Sequence, residues 1–262
     1  MEKEIFKLKN ISKVFGSHKT GDYAEVLRNI DMDVFEKEFV VILGNSGCGK
    51  STFLKIVGGI LPATSGNILL NEKDYGSEVP RNVLKRFGFI FQNNNLLQWR
   101  TVEGNLHFIL EMMKLKGEKW SARVNEMLDT VGLLEYKTVY PHELSGGMKQ
   151  RVGIARALVH DPDILILDQP LGALDAITRK MLSFEILNIW KKTQKTMIMV
   201  TNNVDEALLL ANRIFIFSPA PAVISRSFKV DIPMDERTVK ITQNKIFNEL
   251  RKEIDELLRT TM

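Results

Sequence analysis

The residues best placed to do chemistry together are Gly44, Asn45, Ser46, Gly47, Cys48, Gly49, Lys50, Ser51 and Thr52, which follow the apolar run Phe39-Val40-Val41-Ile42-Leu43 without a break. Glycines at the first, fourth and sixth places let the backbone curl until successive N–H groups face one anion, and a helix starting near Lys50 adds its positive dipole end. Lys50 supplies an ammonium for outer phosphates, and the Ser51 hydroxyl supplies a ligand for Mg²⁺. The pattern G-x-x-x-x-G-K-[ST] therefore predicts a phosphate-binding loop. Cys48 lies within it. Where its side chain is exposed, helix amides would activate the thiol, so a maleimide is expected to block the site and a bound nucleotide to protect it.

Other polar residues stand at the ends of apolar runs. Ile164-Leu165-Ile166-Leu167 reads as a central parallel strand ending in Asp168, a carboxylate expected to share Mg²⁺ with Ser51. Phe87-Gly88-Phe89-Ile90-Phe91 delivers Gln92 to the carboxyl end of a strand, where α/β sheets place ligand contacts, although for the residue taken alone a solvated loop glutamine is the better reading. Thr196–Thr201 is another such strand with Asn202 at its tip, and Ile214–Phe217 completes the core. Leu144-Ser145-Gly146-Gly147-Met148-Lys149-Gln150-Arg151 opens a helix carrying Val152, Ile154, Ala155, Ala157 and Leu158, a second N-terminus receptive to anions.

The elements that position these residues follow from periodicity. Residues 5–15 alternate apolar and polar, and Ile30, Met32 and Val34 repeat the pattern, predicting an antiparallel layer with one wet face. Phe15 there suits either a stacking ring or ordinary packing. The helix after the phosphate loop, with Phe53, Leu54, Ile56 and Val57, is expected to reach about Ile60 before Leu61-Pro62, and Gly66–Leu70 forms another strand. From 93 to 140 helical spacing takes over (Leu106, Ile109, Leu110, Met113; Val124, Met127, Leu128, Val131), predicting a helical subdomain at about 93–148. The predicted organisation is a phosphate-loop domain over 1–225 and a C-terminal extension over 226–262. The extension's amphipathic helix (Ile246, Phe247, Leu250, Ile254, Leu257) is expected to dock on its own domain, because acids interrupt its basic side.

The 262 residues give ample room for a buried core. Formal charge is +4 with Lys and Arg spread among acids, so no nucleic-acid partner is expected. The single cysteine excludes an internal disulfide and suits a reducing cytosol. Met1-Glu2-Lys3-Glu4 leads into an alternating strand, so no signal peptide is expected, and no run is long enough to span a bilayer; work at a membrane would go through a partner.

With these pieces in order, residues 5–220 resemble the ATP-binding subunit of an ABC transporter, and Leu144–Arg151 matches that family's signature motif. The phrases 91–99, 172–179 and 204–208 are similar to the nitrate, sulfonate, taurine and bicarbonate importer branch. The resemblance implies an α/β fold: a mostly parallel P-loop ATPase core with flanking helices, an antiparallel β layer and a helical subdomain. It makes 44–51 the Walker A loop, Gln92 the Q-loop, 164–168 Walker B, Leu174-Asp175 the D-loop, and Phe15 the adenine-stacking aromatic. The implied cofactors are ATP and Mg²⁺, with Gln92 joining Ser51 and Asp168 at the metal. It further implies a second ABC subunit whose Ser145, Gly146 and Gly147 close each nucleotide site, transmembrane permease subunits, a solute-binding protein, and a peripheral place on the cytoplasmic face of the membrane. Leu96, Leu97 and Trp99 fit either a groove for the permease or packing within the subdomain.

Two positions depart from the family pattern. Gln169 stands where glutamate follows the Walker B aspartate, and Asn202 where histidine tips the next strand, with Asn203 replacing the following aspartate. An amide cannot accept a proton from water, which removes a term worth about 10²–10⁴-fold, although it can still orient water by hydrogen bonds. Asn202 can donate to a γ-phosphate but cannot become cationic. Three readings follow: an importer ATPase with slower chemistry, a degenerate subunit that closes on ATP and leaves hydrolysis to a partner, or a soluble ABC protein for repair or translation. The interval from Gln92 to Leu144 is too short for the coiled-coil insertion the third requires, and there is one Walker A.

Overall fold

The computed structural model describes residues 3–16, 21, 23–92, 95–172 and 174–260; Asn93, Asn94 and Ala173 of the motif phrases lie outside the described residues. Two 13-residue strands come first, β1 (Glu4–Gly16) and β2 (Tyr23–Phe35). Phe6 pairs with Val34, Leu8 with Met32 and Ile11 with Ile30, so the alternation places six buried apolar side chains on one face. Next are β3 (Phe39–Leu43), α1 (Lys50–Val57), β4 (Ser65–Leu70) and the two-residue β5 (Lys73–Asp74). They are followed by β6 (Phe87–Ile90), α2 (Val102–Met112), α3 (Glu118–Thr130), α4 (Gly146–Leu158) and β7 (Ile164–Asp168). Then come α5 (Ala176–Thr193), β8 (Thr196–Thr201) and α6 (Val204–Leu210). Last are β9 (Arg213–Phe217), β10 (Ile224–Lys229) and α7 (Lys245–Thr260).

These elements form two compact units, Met1–Leu84 with Thr196–Met262, and Lys85–Lys195. In the first, β2-β1-β4-β5 make an antiparallel sheet. Beside it in the chain, β3 lies parallel between β8 and β9, and β10 runs antiparallel along β9. All five residues of β3 are buried, as a parallel strand covered on both faces requires. α1 lies against β8, α6 against β3, and α7 against α6. Phe247 and Ile254 of α7 are buried while Ile246 is exposed.

In the second unit β6 and β7 pair in parallel, α4 packs on β6, and α2 and α3 complete a helical layer with Leu106, Leu110, Val124, Met127 and Leu128 buried. The fold is α/β, with mostly parallel core strands, an antiparallel sheet and helices, as expected. Three details differ from the sequence reading. α1 stops at Val57 instead of about Ile60, because Gly58 caps it and Gly59 turns with φ 65°. β6 ends at Ile90 and leaves Phe91 exposed. α5 and β10 gave no readable pattern.

Candidate functional site

In the first unit β3 runs directly into the predicted phosphate loop. Lys50 begins α1, is 3 % exposed, and its ammonium donates to the Gly44 and Asn45 carbonyls, both at 2.7 Å. The loop is thus curled around its own lysine. Gly49 sits at φ 106°, and a Cβ there would lie 2.9 Å from Val26 Cγ1, so only glycine permits this approach to β2. Ser46 and Gly47 are exposed, Asn45, Ser51 and Thr52 are half-buried, and Gly44 is buried. Cys48 is 2 % exposed, its Sγ 3.8 Å from the Lys50 ammonium. This corrects the expectation of a reactive thiol: the side chain faces the packed interior of the loop, so a maleimide cannot reach it without opening the loop.

The tip of β8 stands beside that loop. Leu43 pairs with Thr201, so Asn202, one residue further on and exposed, follows β8 where Gly44 follows β3. Asn203 caps α6, its side chain accepting from Glu206 N at 2.9 Å. Buried Glu206 accepts from Thr201 Oγ1 at 2.7 Å. Phe15, 42 % exposed near the end of β1, has the Lys13 ammonium 5.1 Å from its ring centroid, a cation–π contact. Lys13 is itself pinned to the Pro62 carbonyl at 2.7 Å.

The second unit holds the remaining candidates. Asp168 ends β7 half-buried, and Gln169 follows with φ 44°, a left-handed conformation uncommon outside glycine and asparagine. That turn is closed by Gly172 N donating to the Gln169 carbonyl at 3.0 Å, and a Cβ at Gly172 would lie 3.4 Å from Gln92 Nε2. Gln92 and Gln169, 77 positions apart in the chain, therefore meet at one turn. Asp175 caps α5, accepting from Thr178 N at 3.0 Å and Ile177 N at 3.1 Å; these amides, Thr178 first, hold its carboxyl below the usual range. Ser145 caps α4, accepting from Met148 N at 3.3 Å, and Ser145 and Gly146 are exposed. The serine-glycine turn and the Asp175 turn line one cavity of about 340 Å³ with Met181 and Leu182.

A model of the ABC transporter family matches residues 27–172, more than half of the chain. The chain belongs to the ABC transporter family. The taurine import ATP-binding protein TauB of Jannaschia sp. is 40 % identical over 250 residues, covering 94 % of this chain and 91 % of that protein. The aliphatic sulfonates import ATP-binding protein SsuB of Bacillus licheniformis is 41 % identical over 246 residues, covering 94 % and 90 %. A solved dimeric structure of the ATP-binding cassette MJ0796 in a post-hydrolysis state, bound to ADP and Pi, superposes with a TM-score of 0.72 at 30 % identity, covering 87 % of this chain and all of that one.

Some residues that shape the site have no sequence signal of their own. Arg179 donates to the Leu171 and Leu174 carbonyls at 3.3 and 2.8 Å, bracing the turn between Gln169 and Asp175. Arg156 on α4 donates to the Asn95 carbonyl at 2.8 Å, tying the signature helix to the chain after Gln92. Fully buried Asn105 accepts from Leu97 N at 2.8 Å and donates to the Leu97, Arg100 and Thr101 carbonyls. It shapes a loop with Leu96 buried and Trp99 74 % exposed. Among a chain's many arginines and asparagines, only folding singles these out.

Proposed function

We propose that the chain is the ATP-binding motor subunit of an importer for taurine or related aliphatic sulfonates, which dimerises on Mg-ATP and turns it over slowly. The carrying observation is the phosphate loop closed around Lys50 together with an exposed Ser145-Gly146 turn on the signature helix. The amides of 44–52 and the Lys50 ammonium bind the phosphates, and Phe15 stacks on adenine. Ser51, Asp168 and Gln92 are oxygen donors of the kind Mg²⁺ prefers; when bound, the ion neutralises charge building on the phosphate oxygens. Ser145, Gly146 and Gly147 receive the γ-phosphate held by a second subunit. Trp99, held out by the Asn105 network, serves the permease contact.

Slow turnover rests on Gln169 and Asn202. Gln169 orients the attacking water by hydrogen bonds without accepting its proton, and Asn202 donates to the γ-phosphate without positive charge. Both substitutions fall on chemistry and spare binding. The degenerate-subunit reading is the extreme of the same argument, with hydrolysis left to a partner. Single-turnover ATP hydrolysis by the purified dimer, with and without permease, tests this. Tight binding with a rate well below the ordinary enzyme range of roughly 1–10³ per second is expected, and a rate within that range overturns it.

A further inference from the structure

We propose that residues 230–260 clamp α6 and thereby position Asn202, with Arg237 as the principal positioning residue. The idea rests on the reading of Asn202 as a contact of the terminal phosphate.

Arg237 is 2 % exposed, yet among the described residues its hydrogen bonds go to main-chain carbonyls and none to a carboxylate. Nη1 donates to Leu209 and Ala211 at 3.0 and 2.7 Å, Nη2 to Val230 and Ile232 at 3.2 and 2.9 Å, and Nε to Ile232 at 3.1 Å. The first two carbonyls belong to the end of α6, where helix groups lack partners and the dipole favours a cation. Burial pulls the guanidinium down to about 10, so it stays charged at neutral pH. At the other end of α6, Arg251 of α7 places Nε 3.0 Å from Asp205 Oδ1; α7 packs on α6, and its Phe247 and Ile254 are buried.

A helix of seven residues is too short to hold itself, so its ends must be fixed from outside. Its start is wired to the β8 tip: Thr201 Oγ1 bonds Glu206, Asn203 Oδ1 accepts from Glu206 N, and Asn203 N donates to Thr201 Oγ1 at 3.1 Å. Asn202 is the residue enclosed by those bonds. The C-terminal segment therefore reaches the phosphate end through one short helix.

The test is a cycle of Arg237→Met and Asn202→Ala in the full chain, reading kcat and KM for ATP. Arg237→Met should lower kcat about tenfold with KM unchanged within about twofold, because a misplaced contact costs chemistry more than binding. In the Asn202→Ala background it should change kcat by less than about twofold; an equal loss in both backgrounds overturns the clamp. Should Arg237→Met fail to fold, Arg251→Ala at the half-exposed pair runs the same cycle, with recovery expected when Asp205→Arg is combined with Arg251→Asp. If Asn202→Ala alone leaves kcat unchanged, the reading of Asn202 fails, and the clamp is judged by hydrogen exchange. Faster exchange of the 203–206 amides in Arg251→Ala then supports it, and unchanged exchange overturns it.

Discussion

With its ammonium already gripped by the Gly44 and Asn45 carbonyls, Lys50 needs no large movement to meet a phosphate chain. Lys50→Ala should therefore weaken ATP binding about 10- to 100-fold, the worth of a charge-assisted bond, and unchanged affinity by calorimetry would refute the phosphate-loop assignment. Asp168→Asn should keep much of the affinity and lose its dependence on Mg²⁺; the check is titration with and without the ion. Gln169 already holds φ 44°, a strain that glutamate would share equally, so restoring the carboxylate carries no added backbone cost. Gln169→Glu combined with Asn202→His should raise turnover by about 10²-fold or more, measured as steady-state phosphate release, and an unchanged rate would show that Gln169 suffices.

At the scale of elements, β6 is anchored by buried His160, whose Nε2 lies 3.1 Å from the Phe87 carbonyl while Nδ1 has no partner among the described residues. Burial pushes its pKa below 6.5. Between the folded pKa and the unfolded value the unfolded chain binds more protons. Stability should thus be complete above about pH 6.5 and decline below it until the folded pKa is passed. Melting temperatures at pH 8 and 5.5 should differ less in His160→Gln, which keeps a donor for Phe87 and cannot charge. Asn105→Ala should cost about 1–3 kcal/mol in denaturant unfolding, because it removes the partner of the half-buried Leu97 and Arg100 main-chain groups. Legibility followed packing. β3 and β7 announced themselves as unbroken apolar runs because both of their faces are covered. α5 did not, because its apolar residues circle the helix: Leu182, Ile186 and Trp190 are buried, while Ile177 and Met181 point outward. β10 is an edge strand with one buried residue, Phe228, and thus no alternation to read. At the site, the curl of 44–50 around Lys50 and the serine-capped start of α4 were readable because backbone chemistry fixes their residue types. The burial of Cys48 and the meeting of Gln92 with Gln169 depend on how separate elements pack, which spacing does not encode.

For the whole molecule, the proposed function has ATP bind one subunit's phosphate loop and another's signature turn, holding the pair together until it is hydrolysed. Gel filtration should show a dimer persisting in Mg-ATP, and its lifetime should shorten in the Gln169→Glu, Asn202→His variant. Because Ser145, Gly146 and Gly147 are intact here, a mixed dimer with a glutamate- and histidine-bearing relative should keep one competent site, giving about half the turnover of that relative's own dimer. Turnover far below half would mean that this chain's signature turn does not complete its partner's site.

The enclosure of Cys48 has a bearing on oxidative damage. Sulfur oxidation goes first to accessible atoms, and the lone thiol is 2 % exposed while Met112 and Met181 are 68 % and 62 % exposed. Peroxide should convert those methionines to sulfoxides well before it touches the phosphate loop. Mass spectrometry of partly oxidised protein should then find Met112 and Met181 modified and Cys48 intact, with ATP affinity retained. The loop's only oxidisable side chain is hidden by the same packing that closes the loop around Lys50.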